Sequence, residues 1–267
     1  MLATTVVATL LVLWTRQSFY TIGPLVVALI VMLEAWRQKR LTFSRNLVFT
    51  ALVLLAGFIL IPYVVFSSAY ADMRLIPYVI AVLLLAIRFR DEMPYRHGAI
   101  LAVLGLAFFL VRIGGNTLSL KMAADDHRAK LEALDQVPMG ARVLSLVHDA
   151  CGRNWHLPRN THLGAMVIVR KHGFSNDQWT TPGINLLQLR YREAEPFPFD
   201  PSQIIRDPGC GGRIYWNIDP ALRAIPRGKF DYLWLIDIPR YDPAPLEDAR
   251  LVWQGPGTRL YRLPPAG

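Results

Sequence analysis

Five apolar runs constrain this chain more than any other feature, and all of them fall within its first 116 residues: Leu2–Trp14, Tyr20–Trp36, Leu47–Phe66, Met73–Ile87 and Gly98–Val111. A helix that crosses a bilayer needs roughly 20 predominantly apolar residues, and about 17 is the usual minimum. The second and third runs reach that length unaided. The fourth and fifth reach it when Arg74, Arg88 and Arg112 lay their stems along the apolar surface and place their guanidinium groups among the headgroups. None of the runs carries the polar stripe that a surface helix of a soluble bundle requires. The expectation is an α-helical transmembrane bundle of about five helices over residues 1–116.

The charge pattern supports this division. Residues 1–116 hold ten Lys/Arg and four Asp/Glu, while residues 117–267 hold nineteen and sixteen, an ordinary soluble balance. The linker after the second run carries Arg37, Lys39, Arg40 and Arg45, and the linker after the fourth carries Arg88, Arg90 and Arg96. The opposite linkers carry Arg16 and Arg74. Basic residues collect on the cytoplasmic side, so the N-terminus is expected in the cytoplasm and residues 117–267 on the outer side of the membrane. The net charge of +9 then arises largely from cytoplasmic loops, which excludes a nucleic-acid partner and makes the lipid bilayer the expected one. Leu2–Trp14 has no basic residue ahead of it and no A-x-A site behind it, unlike a signal peptide. It reads as the tail of a membrane helix that begins upstream.

The second half reads as an α/β extracytoplasmic domain. Gly114–Gly115 is expected to break the last membrane helix, and Asp125–Leu134 to form a polar helix of its own. Strands are expected at Ala141–Val147, Ile184–Tyr191 and Phe230–Ile238, with a closing hairpin of Leu251–Gln254 and Thr258–Leu263. Thr161 is placed to cap a helix over His162–Lys171, and Asp219-Pro220 to start one through Ile225. Cys151 and Cys210 both adjoin glycine in this outward half, where oxidising conditions favour a disulfide. Closing so long a loop contributes on the order of 4 kcal/mol in the chain-entropy account. Two unpaired thiols are the alternative.

His148, Asp149, Cys151, His156 and His162 fall within fifteen residues, but their spacing matches no compact metal pattern, so no metal is expected on that set. Trp155 and His156 lie just past a strand end, where α/β domains place ligands, and are candidate groove residues. No G-x-S-x-G, S-x-x-K or H-E-x-x-H motif is present. Gly209–Gly212 lacks the Lys and Ser/Thr of a phosphate loop.

Tyr70–Tyr78 (YADMRLIPY) sits at the outer mouth of the fourth run, with Asp72 and Arg74 ahead of Pro77. Arginine there binds a lipid phosphate through paired hydrogen bonds, or serves as an interfacial anchor beside a helix-start carboxylate. The YADMRLIPY stretch, THLGAMVIVRKHGFSNDQW and the terminal FDYLWLID…TRLYRL resemble the C-terminal part of bacterial GT-C membrane glycosyltransferases. That resemblance implies a polyprenyl-phosphate sugar as donor substrate, no cofactor, transfer on the outer face of the membrane, and Arg74, with Asp72 beside it, at the donor phosphate. GT-C enzymes carry their catalytic carboxylate in the first outward loop. Here that loop, Thr15–Phe19, has no acid, so the resemblance assigns no catalytic residue. The chain is expected to match the back half of such a transferase, working with a partner subunit. The alternative is a non-catalytic, membrane-anchored periplasmic module that binds a protein partner or a glycan.

Overall fold

The computed structural model describes residues 17–37, 41–65, 68–69, 71–89, 95–150, 158–180, 185–189, 191–210 and 215–265. The chain divides into two units, one comprising residues 1–111 with 154–156 and the other residues 112–153 with 157–267.

In the first unit, α1 (Gln17–Arg37) leads to β1 (Leu41–Phe43), α2 (Arg45–Leu60) and the short strands β2 (Val64–Val65) and β3 (Ser68–Ala69). A 3-10 turn, Met73–Leu75, runs directly into α3 (Ile76–Ala86), followed by β4 (Ile87–Phe89) and the start of α4 (Tyr95–Leu131). β1 and β4 pair antiparallel, with Thr42 opposite Arg88, which joins the two basic linkers into one ribbon.

The expected bundle of about five transmembrane helices does not form. Among the described residues, one helix is long and apolar enough to cross a membrane, Gly98–Gln136. At 1.5 Å per residue, α2 and α3 extend only about 24 Å and 16 Å against a hydrocarbon core of about 30 Å. The third run stops short because Ile61, extended at φ −75° and ψ 128°, precedes Pro62, and proline bars the residue before it from helix. The fourth run ends early because Ile87 leaves the helix to pair with Phe43. The first run, Leu2–Trp14, lies outside the described residues.

A second correction concerns Gly114–Gly115. The helix passes through both glycines and continues to Leu131, so the last apolar run and the polar segment after it form one element. Two mid-helix glycines cost about 1 kcal/mol each, too little to stop a helix flanked by leucine, alanine, lysine and methionine.

The second unit is built on a mixed six-stranded sheet. β5 (Arg142–His148) pairs parallel with β6 (Phe174–Ser175), β7 (Ile204–Ile205) and β8 (Tyr232–Ile236). β8 continues antiparallel into β10 (Thr258–Arg262) and then β9 (Arg250–Gly255). Both faces of the sheet are covered, and the alternation along the strands assigns each side chain to its face. Val143, Val147, Tyr232, Trp234 and Ile236 meet the end of α4, the 3-10 turn Glu132–Gln136 and α5 (Met166–Lys171) through Leu131, Leu134, Leu163 and Val167. Leu144, Leu146, Leu233 and Leu235 meet α6 (Ile218–Arg223) and the loops that carry Phe197, Phe230 and Leu246. Trp234 is fully buried and donates its indole N–H to Thr258 Oγ1 at 2.9 Å. Burying a ring of this size contributes several times the stabilisation of a methylene, itself about 0.8 kcal/mol.

The expected strand over Ile184–Tyr191 is absent among the described residues 185–189, where Leu186 is 103% exposed. The edge of β5 that such a strand would join is already occupied by β6 and β7.

At the start of the sheet Asp231 clamps Arg142. Its Oδ2 accepts from the Arg142 backbone N–H at 2.8 Å and from Nε at 3.1 Å, and its Oδ1 from Nη2 at 2.6 Å. The side-chain hydrogen bond from Arg142 holds the Asp231 carboxyl below its ordinary value of 3.8, with burial opposing and the backbone bond adding to the effect. A carboxylate whose folded value is depressed stabilises the fold above its unfolded value, and that contribution fades as pH falls through the folded value. Asp231→Asn is expected to cost about 1 kcal/mol at pH 7, the scale of a partly exposed pair. The gap from the wild type narrows once pH drops below the usual carboxylate range, which denaturant titrations at pH 7 and pH 3 measure.

Candidate functional site

The three parallel neighbours of β5 end on one side of the sheet, and the edge it shares with β6 and β7 is split. β6 pairs with Arg142 and Val143, then departs; β7 arrives only at Val147 and His148. Between them the Asn176 side chain takes the place of a strand. Its Oδ1 accepts from Ser145 N at 2.8 Å, and its Nδ2 donates to Ser145 O at 3.1 Å and to Ser202 Oγ at 3.2 Å. Because the backbone has turned away here, the next residues bring polar side chains to the gap between β6 and β7, a crevice in the strand order whose carboxylates and carboxamide are buried and whose imidazole is exposed.

Asp177, Asp200, Gln203 and His162 meet in this crevice. His162 Nδ1 lies 2.8 Å from Asp177 Oδ1, with the imidazole 66% exposed and the carboxylate 2% exposed. Asp177 Oδ2 accepts from Ala165 N at 3.0 Å. Gln203 donates from Nε2 to Asp177 Oδ1 at 3.2 Å, to Asp200 Oδ1, and to the Thr161 carbonyl at 3.5 Å. Gly164 lets the turn that carries His162 lie against the sheet, since a Cβ there would come within 2.7 Å of Ser145 Oγ. The hydrogen bond to Asp177 raises the His162 pKa above its ordinary 6.5, with burial opposing. Trp179, two residues past Asp177, is exposed.

Thr161 does not cap the helix as the sequence leads one to expect. Its hydroxyl turns back to Pro158 O at 3.0 Å, and the turn Leu163–Ala165 receives its cap from Asp177, twelve residues ahead. A second group lies at the same edge: Asp149 Oδ2 binds Arg206 Nη2 at 2.9 Å, and His148 Nε2 lies 3.0 Å from Asp207 Oδ1. The Arg206 guanidinium stacks 3.8 Å over the Tyr215 ring.

The residues singled out from sequence fall in three places. Trp155, His156 and Cys151 lie outside the described residues. Cys210 follows a turn at Gly209, which has φ +85°, and donates its N–H to Asp207 O at 3.1 Å. It carries no free thiol, and its pairing with Cys151 stays a proposal. Asp72 and Arg74 share one turn in the first unit: Asp72 precedes Met73–Leu75, its carbonyl accepts from Leu75 N at 3.0 Å, and Pro77 sits in the first turn of α3. Arg74 is exposed. Of the five residues weighed for metal, His148, Asp149 and His162 each take a different carboxylate or guanidinium partner.

Sequence reasoning missed Asn176, Asp177, Asp200 and Gln203. The available signal was the polar run Ser175–Gln178 directly after a short helix and strand, the position of a ligand-bearing βα corner. Compared with known proteins, the chain matches no family model, no curated protein and no solved structure.

Asn176→Ala strips both partners from the buried backbone of Ser145, and each unsatisfied buried group costs about 1–3 kcal/mol. The expected loss is about 2–4 kcal/mol in a denaturant titration of the full chain. A loss within 0.5 kcal/mol of zero shows that water or β6 takes over the edge.

Proposed function

We propose that this chain is a membrane-anchored extracytoplasmic module that holds a sugar-bearing ligand within a system of lipid-linked sugar transfer, with the chemical step carried by a partner subunit. The observation that carries the reading is the crevice at the split edge of β5. It gathers two carboxylates, an imidazole and a carboxamide, and the exposed indole of Trp179 follows two residues after Asp177. Hydroxyl-rich ligands are held by such a set, with polar side chains taking the hydroxyls and an aromatic face taking the apolar side of the ring.

Anchoring is supported by the helix Gly98–Gln136 and by the exposed apolar side chains of the first unit, among them Phe49, Ile59, Leu60 and Leu85. An exposed apolar surface of that extent belongs against lipid or a partner rather than water. In this reading the second unit faces the periplasm of a bacterial inner membrane and the N-terminus faces the cytoplasm, as the basic linkers favour. The donor is a polyprenyl-phosphate sugar, as the resemblance to GT-C glycosyltransferases implies, and Arg74, with Asp72 on the same turn, meets its phosphate.

Two experiments test the proposal on the full chain in detergent micelles. Envelope oligosaccharides arrayed on a surface are expected to capture it, and Trp179→Ala is expected to lower the affinity at least tenfold without shifting the melting temperature. Equal capture of the two proteins removes the crevice from the reading, and no capture of either removes the ligand class. Separately, Arg74→Ala is expected to lower retention on vesicles doped with polyprenyl phosphate but not on undoped vesicles. Unchanged retention assigns Arg74 to anchoring alone.

A further inference from the structure

Asp177 and Asp200 are both buried, and both take a hydrogen bond from the same amide, Gln203 Nε2. The one ionisable group of opposite tendency in the cluster is the imidazole of His162, which lies against Asp177. Two carboxylates side by side in a weakly polarisable interior repel strongly unless a positive charge lies between them.

Geometry supplies the place for that charge. One ligand atom each from His162, Asp177 and Asp200 lies within 4.8 Å of the others. An ion that contacts oxygen at 2.3–2.6 Å spans ligands up to about 5 Å apart; one that contacts at 2.0–2.2 Å spans up to about 4.4 Å, so a zinc ion draws any wider pair of these ligands inward and the donor types, rather than the spacing, decide the metal. The three side chains converge from separate parts of the chain, the turn before α5, the segment after β6 and the loop before β7, and none is adjacent in sequence to another.

An independent observation comes from Gln203. The residue is fully buried, yet its Oε1 has no hydrogen-bond partner among the described residues. A buried carboxamide oxygen left alone costs about 1–3 kcal/mol. A half-turn of the amide exchanges Oε1 for Nε2 and brings the carbonyl oxygen to the two carboxylates. With nothing between them, three oxygens in contact repel; with a cation between them, the carbonyl becomes a further ligand and the ion replaces the hydrogen bonds that Nε2 otherwise gives Asp177 and Asp200.

We infer that His162, Asp177 and Asp200, with Gln203 Oε1 as a further ligand, bind a divalent metal ion. The mixture of one imidazole with carboxylate and carbonyl oxygens selects zinc or manganese over calcium or magnesium, which take oxygen-only sets. The exposed face of His162 leaves the ion open to solvent on one side, so a water or a hydroxyl of a bound molecule completes its coordination. Metal binding is read here without any sugar, so its failure leaves the proposed function standing, and the converse also holds.

The test uses the full chain in detergent, stripped with a chelator and dialysed. Titration with Zn2+ and with Mn2+ by calorimetry is expected to give one ion per chain, with affinity at least tenfold above that for Ca2+. Cobalt substitution is expected to give visible absorption bands from a site containing nitrogen. His162→Ala and Asp200→Asn are each expected to weaken binding at least tenfold and to alter or abolish the cobalt bands. His148→Ala, outside the cluster, is expected to leave both unchanged. Unaltered melting curves for His162→Ala, whose side chain is mostly exposed, keep folding apart from ligation. Absence of stoichiometric binding, or equal binding by the wild type and His162→Ala, overturns the assignment.

Discussion

The second unit depends on a side-chain amide standing in for a strand. Asn176 satisfies both backbone groups of Ser145 at the point where neither β6 nor β7 reaches β5. A ladder continued by backbone would carry the chain straight along the edge and bury apolar side chains on both faces. By substituting a side chain for that stretch, the fold frees the backbone after Asn176 to swing outward. Asp177 then lands where it can cap the turn at Ala165 and meet His162 and Gln203. The crevice is thus a consequence of how one hydrogen-bonding requirement is met.

The carboxyl end of β8 shows a comparable economy. Lys130, near the end of α4 and only 4% exposed, places its ammonium 2.6 Å from Asp126 and 3.0 Å from Asp237. Asp237 ends β8 in the left-handed region at φ 56° and also accepts from Asn160 Nδ2 at 2.6 Å. A cation buried this deeply is tolerated only with close partners, so the end of the long helix is registered to the end of the strand. The turn that leads to His162 passes through Asn160, so this ion pair and the crevice share one loop.

Much of the second unit was legible from pattern. The runs ARVLSLV and FDYLWLIDI are short, continuous and apolar because strands of a sheet covered on both faces have no solvent side, and β5 and β8 fall within a residue or two of the expected ends. The hairpin around Gly255-Pro256-Gly257 follows from local turn chemistry, whereas the helix expected to start with Asp219 as its cap begins one residue earlier at Ile218 behind Asn217, places Asp219 and Pro220 inside its first turn, and ends at Arg223. INLLQLRY misled because apolar composition does not reveal whether a sheet edge remains to be joined. The first unit misled for the opposite reason. Hydropathy measured the length of its apolar runs, but Pro62 and the pairing of Ile87 with Phe43 decided how much of each run stayed helical. The crevice was least legible, since Asp177, Asp200 and Gln203 acquire meaning only once β6 and β7 are known to share an edge of β5.

The buried polar groups of the crevice are poor choices for stability alone. Ser145 occupies a core-facing position between Val143 and Val147, where valine would bury more apolar surface, and its Oγ has no partner among the described residues. Gln203 and Asp177 are desolvated, and each costs free energy that their mutual hydrogen bonds only partly return. Replacing such a network with packed apolar residues is often neutral or stabilising, so stability alone is a weak reason to keep it. Natural sequences break the rule of an apolar interior chiefly where a site demands it. The same residues that lower stability create a fixed, partly desolvated set of acceptors around one point, where an electrostatic interaction is far stronger than on an open surface. The cost in stability and the proposed capacity to hold a charged or hydroxylated ligand therefore have one physical origin.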